Sequence, residues 1–100
     1  MAYKYRQAAR VDNNQLDIVK SLRKLPGITV EVGHDDILVG YKGKTYWYEI
    51  KSPDAANKSG VVFDSKIKPD QKRILRDFTG HYRIVISLEE ILDDIGFLRG

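Results

Sequence analysis

The chain has 100 residues, 42% hydrophobic and 31% charged, enough for one packed domain and too few for two. Its apolar runs are too short to cross a membrane, and without cysteine it can form neither disulfides nor thiolate metal sites. The formal net charge of +3 is a mild basic excess, so the distribution of charge says more about a nucleic-acid partner than the total does.

Residues 1–11 follow neither the helical nor the strand period and read as a basic arm carrying Lys4, Arg6 and Arg10. The arm lacks an apolar h-region, so no secretory signal is expected, and the missing cysteines fit a cytoplasmic protein. A single folded domain is expected over 12–96. Asp12 is a candidate N-cap, with Gln15 three residues on to complete a capping-box-like pair. Ile18, Val19, Leu22 and Leu25 then form one apolar stripe, and Pro26-Gly27 stops the helix. "ITVEV" (28–32) alternates and is β-branched. "DILVGY" (36–41) reads as a second strand buried on both faces. "KGK" turns the chain, and "TYWYEIK" (45–51) returns as a third strand.

The polar stretch 52–60 reads as a mobile loop, and "VVF" after it as a short strand piece. Pro69 opens a second helix with Ile74, Leu75 and Phe78 inward, ended by Thr79-Gly80. "HYRIVIS" (81–87) is a fourth strand, and Ser87 with Glu90 caps a short last helix. The order α-β-β-β-α-β-α implies an α/β fold. Its sheet is mixed and four-stranded, and the helical crossover leaves the last strand parallel to a neighbour.

Three acid–spacer–lysine triplets occur: Glu49-Ile50-Lys51, Asp64-Ser65-Lys66 and Asp70-Gln71-Lys72. Chance alone supplies about one such triplet in a chain of this composition, so local geometry has to select among them. On a helix, residues two apart diverge by roughly 200°, whereas on a strand they share a face. Only Glu49 and Lys51 are therefore expected side by side on a rigid element. Asp36 opens the adjacent strand and falls opposite roughly residue 50 in a regular hairpin; a bulge is one way to bring it onto their face. Two carboxylates and a lysine converging there suit a hard divalent cation, Mg²⁺ or Mn²⁺, and water attack on a phosphodiester. The competing reading is a surface ion pair worth about 0–1 kcal/mol.

Lys66, Lys68, Lys72, Arg73 and Arg76 crowd around the second helix as candidate nucleic-acid contacts, or as an ordinary solvated face. Trp47 shares the strand face of Glu49 and Lys51, where it walls the site, stacks on a base or fills space. Gln71 and Gln15 each lie in the first turn of a helix, on its inward face.

The pattern "GHDDILVG…YEIK…KPDQ" resembles the PD-(D/E)XK nuclease core, the restriction-endonuclease-like fold. Over about residues 10–95 the chain is similar to virus-type replication-repair nuclease (VRR-Nuc) domains, especially small stand-alone phage forms. The resemblance implies a metal-dependent endonuclease acting on branched, junction or flap DNA during replication, recombination or repair. It implies Asp36 and Glu49 as metal ligands with the Ile50 backbone carbonyl, Lys51 as the catalytic lysine, and Gln71 as a helper that positions lysine, water or phosphate. Gln15, Asp35 and His34 are further candidates.

Two departures stand out. Asp35 replaces the usual proline, and Asn14-Gln15 stands where many relatives carry an acidic residue. Symmetric cutting of two strands takes two sites, so a homodimer is expected. The resemblance calls for no nicotinamide or flavin and places the protein in the cytoplasm, that of the host bacterium if phage-encoded. The alternative is a non-catalytic nucleic-acid-binding protein that keeps the nuclease fold.

Overall fold

A two-residue turn sets the register of the central hairpin. Lys42 and Gly43 both have positive φ, 51° and 79°, the backbone that matches the right-handed twist of flanking strands. Strand β2 (Asp36–Tyr41) therefore pairs antiparallel with β3 (Lys44–Ile50) from Tyr41↔Lys44 through Asp36↔Glu49. Asp36 meets Glu49 rather than residue 50, because the turn takes two residues and not three. No bulge is involved.

The computed structural model describes residues 13–33 and 36–99. The N-terminal arm, the Asp12 cap, His34 and Asp35 lie outside the described residues. Helix α1 (Asn13–Arg23) is followed by β1 (Ile28–Gly33), which pairs antiparallel with β2. After β3 come a short 3-10 turn (Pro53–Ala55), an isolated Ala56↔Val62 bridge, a second 3-10 turn (Asp64–Lys66) and helix α2 (Pro69–Asp77). Strand β4 (Tyr82–Val85) then runs parallel to β3, and α3 (Leu88–Asp94) ends in a final 3-10 turn (Phe97–Arg99). The α/β order and the mixed sheet β1-β2-β3-β4 are thus as the sequence implied.

The segment 52–60 has more local order than its composition implied. Asn57 Oδ1 accepts from the backbone N–H of both Ser59 and Val61, at 2.8 and 3.0 Å. Val62 supplies the expected strand piece as a single bridge. At α3, Ser87 Oγ accepts from Glu90 N as a cap, but the Glu90 carboxylate returns to Ile86 N at 2.7 Å, one residue before the cap.

Strand alternation divides the sheet into two unlike faces. One carries Val30, Val39, Tyr48, Ile50 and Val85, and it buries the apolar sides of α1 and α3, including Leu22 and Ile91. Tyr48 is fully buried there, and its hydroxyl donates to Asp94 at the end of α3. His81 and Arg83 hold the same carboxylate. Burial alone would raise the Asp94 carboxyl, but the hydrogen bonds from Tyr48, His81 and Arg83 together leave it below its ordinary value. Burial, aided by Asp94, pushes the Tyr48 phenol up.

The other face is covered mainly where α2 meets β4. Leu38 is 43% exposed on it, so β2 is buried on one face rather than two. Its pattern of hydrophobic residues is a run only because the solvent side holds an apolar residue as well. Leu75 and Phe78 are likewise about half exposed, at 46% and 47%, rather than inward. A nine-residue helix lying on the edge of a four-stranded sheet has too little sheet beneath it to cover both.

Candidate functional site

Because Asp36 pairs with Glu49 and Leu38 with Trp47, these four side chains project from the same open face. Across the parallel ladder, Trp47 pairs with Tyr82 and Glu49 with Ile84, which adds β4 to the site. Lys51 lies one residue past β3, but its N–H donates to Val85 O at 2.8 Å, so the ladder continues through it. Its side chain remains on the Glu49 face, with Nζ 3.8 Å from Glu49 Oε2.

The Glu49–Lys51 pair is not surface decoration. The two side chains are 5% and 14% exposed. A carboxylate held that far from water is costly unless something nearby compensates it. The Asp36 carboxylate, half-buried, accepts a hydrogen bond from Trp47 Nε1 at 3.0 Å. Burial pushes the Tyr82 phenol above its ordinary value, and the negative charges of Glu49, Asp36 and Asp70 push it the same way. Tyr82 thus registers the summed negative field of the site and of the first turn of α2.

Gln71 is buried at the third position of α2. Its Oε1 accepts from Lys68 N at 3.0 Å, one half of a capping box whose other half a lysine side chain has no acceptor to complete. Gln71 thus helps to cap its own helix, and its amide N–H₂ remains a donor. The capping pair expected of Asp12 and Gln15 involves a residue outside those described. Gln15 is buried too, but it lines a cavity of about 530 Å³ with Val32 and Gly33 beside the end of β1. Among the described residues it makes no hydrogen bond to Asp36, Glu49 or Lys51. Ile50 buries its side chain on the core face.

Asn14, noted in the sequence only as a departure from the resemblance, has a structural role that the sequence did not reveal. Its Nδ2 donates to Lys51 O at 3.0 Å and to Ile86 O at 2.8 Å. It thereby ties the first turn of α1 to the chain just past the ends of β3 and β4, and fixes the backbone that carries Lys51. A side-chain amide with two donors fits two adjacent strand carbonyls; a carboxylate does not. The only sequence signal was an amide where an acid was expected.

The other two triplets make no site of their own. Lys72 of one pairs with Asp64 of the other at 2.9 Å. Of the basic cluster, Arg73 pairs with Asp70 at 3.1 Å and Arg76 with Asp77 at 2.7 Å. Among the described residues, Lys66 and Lys68 carry no ion pair.

The donor set is two hard carboxylate oxygen ligands beside a cation. No described group of three or more histidines and carboxylates could hold a metal. Two carboxylates nonetheless fit Mg²⁺ or Mn²⁺, since Mg²⁺ keeps several waters and takes one or two carboxylates plus substrate phosphate. No described helix is long and apolar enough to cross a membrane. No family model, curated protein or solved structure matches the chain.

Proposed function

We propose that the protein is a Mg²⁺- or Mn²⁺-dependent endonuclease that hydrolyses phosphodiester bonds in DNA, with branched, junction or flap structures as its substrates, and that it acts as a homodimer. The observation that carries this reading is the pairing of Asp36 with Glu49, which sets two carboxylates on one face with Lys51 3.8 Å from the second. The resemblance to virus-type replication-repair nucleases supports the same assignment. Asp36, Glu49 and the Ile50 carbonyl would hold the metal, which supplies an activated water and positive charge for the phosphate. The Lys51 ammonium, at a mostly buried position, offsets charge on the scissile phosphate and orients the attacking water. The Gln71 amide, buried in the first turn of α2, would position lysine, water or phosphate, as the resemblance implies. Lys66 and Lys68, without internal carboxylates, bind flanking phosphates.

Asn14 favours a second reading. The first helix carries Asn14-Gln15 rather than an acidic residue, and Asn14 serves as a backbone clamp, which fits a DNA-binding protein that has lost catalysis. Supercoiled plasmid and a four-way junction, incubated with the protein and Mn²⁺, Mg²⁺ or EDTA, separate the two. Metal-dependent cutting abolished by Lys51→Ala is the expected result. Gel shift without cutting in either metal establishes the second reading.

A further inference from the structure

Trp47 is the chain's single tryptophan, and its indole N–H is committed to Asp36. The contact follows from the register. Asp36 and Trp47 are diagonal neighbours across the β2–β3 ladder, within reach of a long aromatic side chain. The indole is held in place from two sides. Tyr82 packs against it edge-on at 4.7 Å between ring centroids, and Phe78, just beyond α2, at 5.2 Å. A braced donor of this kind selects one orientation of the carboxylate it binds. It takes up one of about four acceptor positions on the Asp36 carboxylate, at Oδ2.

Resting on the metal-site reading above, we propose that Trp47 is a positioning residue that orients the Asp36 carboxylate for a divalent cation. The hydrogen bond is of the kind that orients metal-ligating carboxylates, and losing such a bond costs about 10–100-fold in metal affinity. An aromatic ring serving only as packing would need no N–H. The same geometry makes the indole a reporter, because an ion on Asp36 lies next to the only tryptophan.

The test titrates the DNA-free protein with Mn²⁺ by calorimetry and by tryptophan emission. Wild type is expected to bind, with saturable quenching of Trp47 at the calorimetric midpoint, and Asp36→Asn to lose both. Trp47→Phe, which keeps a ring against Tyr82 and Phe78 but has no donor, is expected to bind Mn²⁺ about 10–100-fold more weakly at an unchanged circular-dichroism spectrum. Unchanged affinity in Trp47→Phe overturns the inference and leaves the metal site standing. If Trp47→Phe does not fold, the wild-type titration decides: heat without quenching puts the ion elsewhere and overturns the inference. No binding by wild type overturns the metal-site reading itself, and the inference with it.

Discussion

Asp36 and Glu49 stand directly opposite each other across the antiparallel β2–β3 ladder, two carboxylates where a sheet would ordinarily avoid like charges. Glu49 is 4% exposed, so the repulsion is not relieved by water. Glu49→Gln keeps the shape and removes the charge. It relieves the repulsion from Asp36 but strands the Lys51 ammonium 3.8 Å away, so stability is expected to fall, by less than the roughly 3–5 kcal/mol of a broken buried pair, while the proposed metal-dependent cleavage is abolished. The same substitution lowers the Tyr82 phenol toward its ordinary value, since the Glu49 charge is among the causes holding it up. Absorbance at 295 nm during an alkaline titration follows that change. A higher Tm in Glu49→Gln would mean that the repulsion from Asp36 outweighs the ion pair with Lys51.

Asn14 joins α1 to the chain just past β3 and β4 through two carbonyls. Asn14→Ala leaves those acceptors without their donor, at a cost of about 1–3 kcal/mol. Urea unfolding would show an earlier midpoint with an unchanged slope. Asn14→Asp is expected to be worse than alanine, because a carboxylate beside two carbonyls repels them. A variant that places an acid at this position should thus fail to improve the candidate site.

The Asp94 cluster gives the fold an acid limit. The folded carboxyl sits below its ordinary value of 3.8. Its contribution is therefore fully present above that value and is lost as pH falls through the lower, folded value. Asp94→Asn is expected to destabilise at pH 7 by about 1–3 kcal/mol, the range for hydrogen bonds to a charged group. The gap between variant and wild type should close as pH falls below 3.8 and through the folded value. Thermal melts across pH would read it directly, and a gap of constant size would show that Tyr48, His81 and Arg83 do not depend on the charge.

The basic cluster is not uniform. Arg76 is already neutralised by Asp77 and Lys72 by Asp64, whereas Lys66 and Lys68 have no such partner among the described residues. Lys66→Ala or Lys68→Ala should each reduce the salt slope of DNA binding by about one unit, and Arg76→Ala by less. Fluorescence anisotropy over a salt series measures this, and equal slopes for all three variants would exclude the distinction.

Much of this was legible in sequence because it depends on period alone. Glu49 and Lys51 share a face because a strand alternates, and the triplets at Asp64 and Asp70 diverge because turns and helices do not. The α-β-β-β-α-β-α order followed from caps, prolines and β-branched runs. What period could not reveal were side-chain partners distant in sequence. The Asn14 clamp spans 37 and 72 residues, and nothing local marks it. The exposure of Leu38, Leu75 and Phe78 was hidden for a related reason: hydrophobicity reports a preference, and the amount of sheet available to satisfy it is set by the whole fold.

The turn at Lys42-Gly43 lies at the opposite end of the hairpin from Asp36 and Glu49, yet it works as their ruler. Every pairing in the hairpin is counted from it, so one added residue there would slide β2 against β3 by a step and rotate Asp36 to the buried side of the sheet. The chemistry at one end of the hairpin is thus gauged by the length of the loop at the other. Shortening or lengthening that loop is equivalent to deleting the Asp36 carboxylate from the candidate site without mutating it.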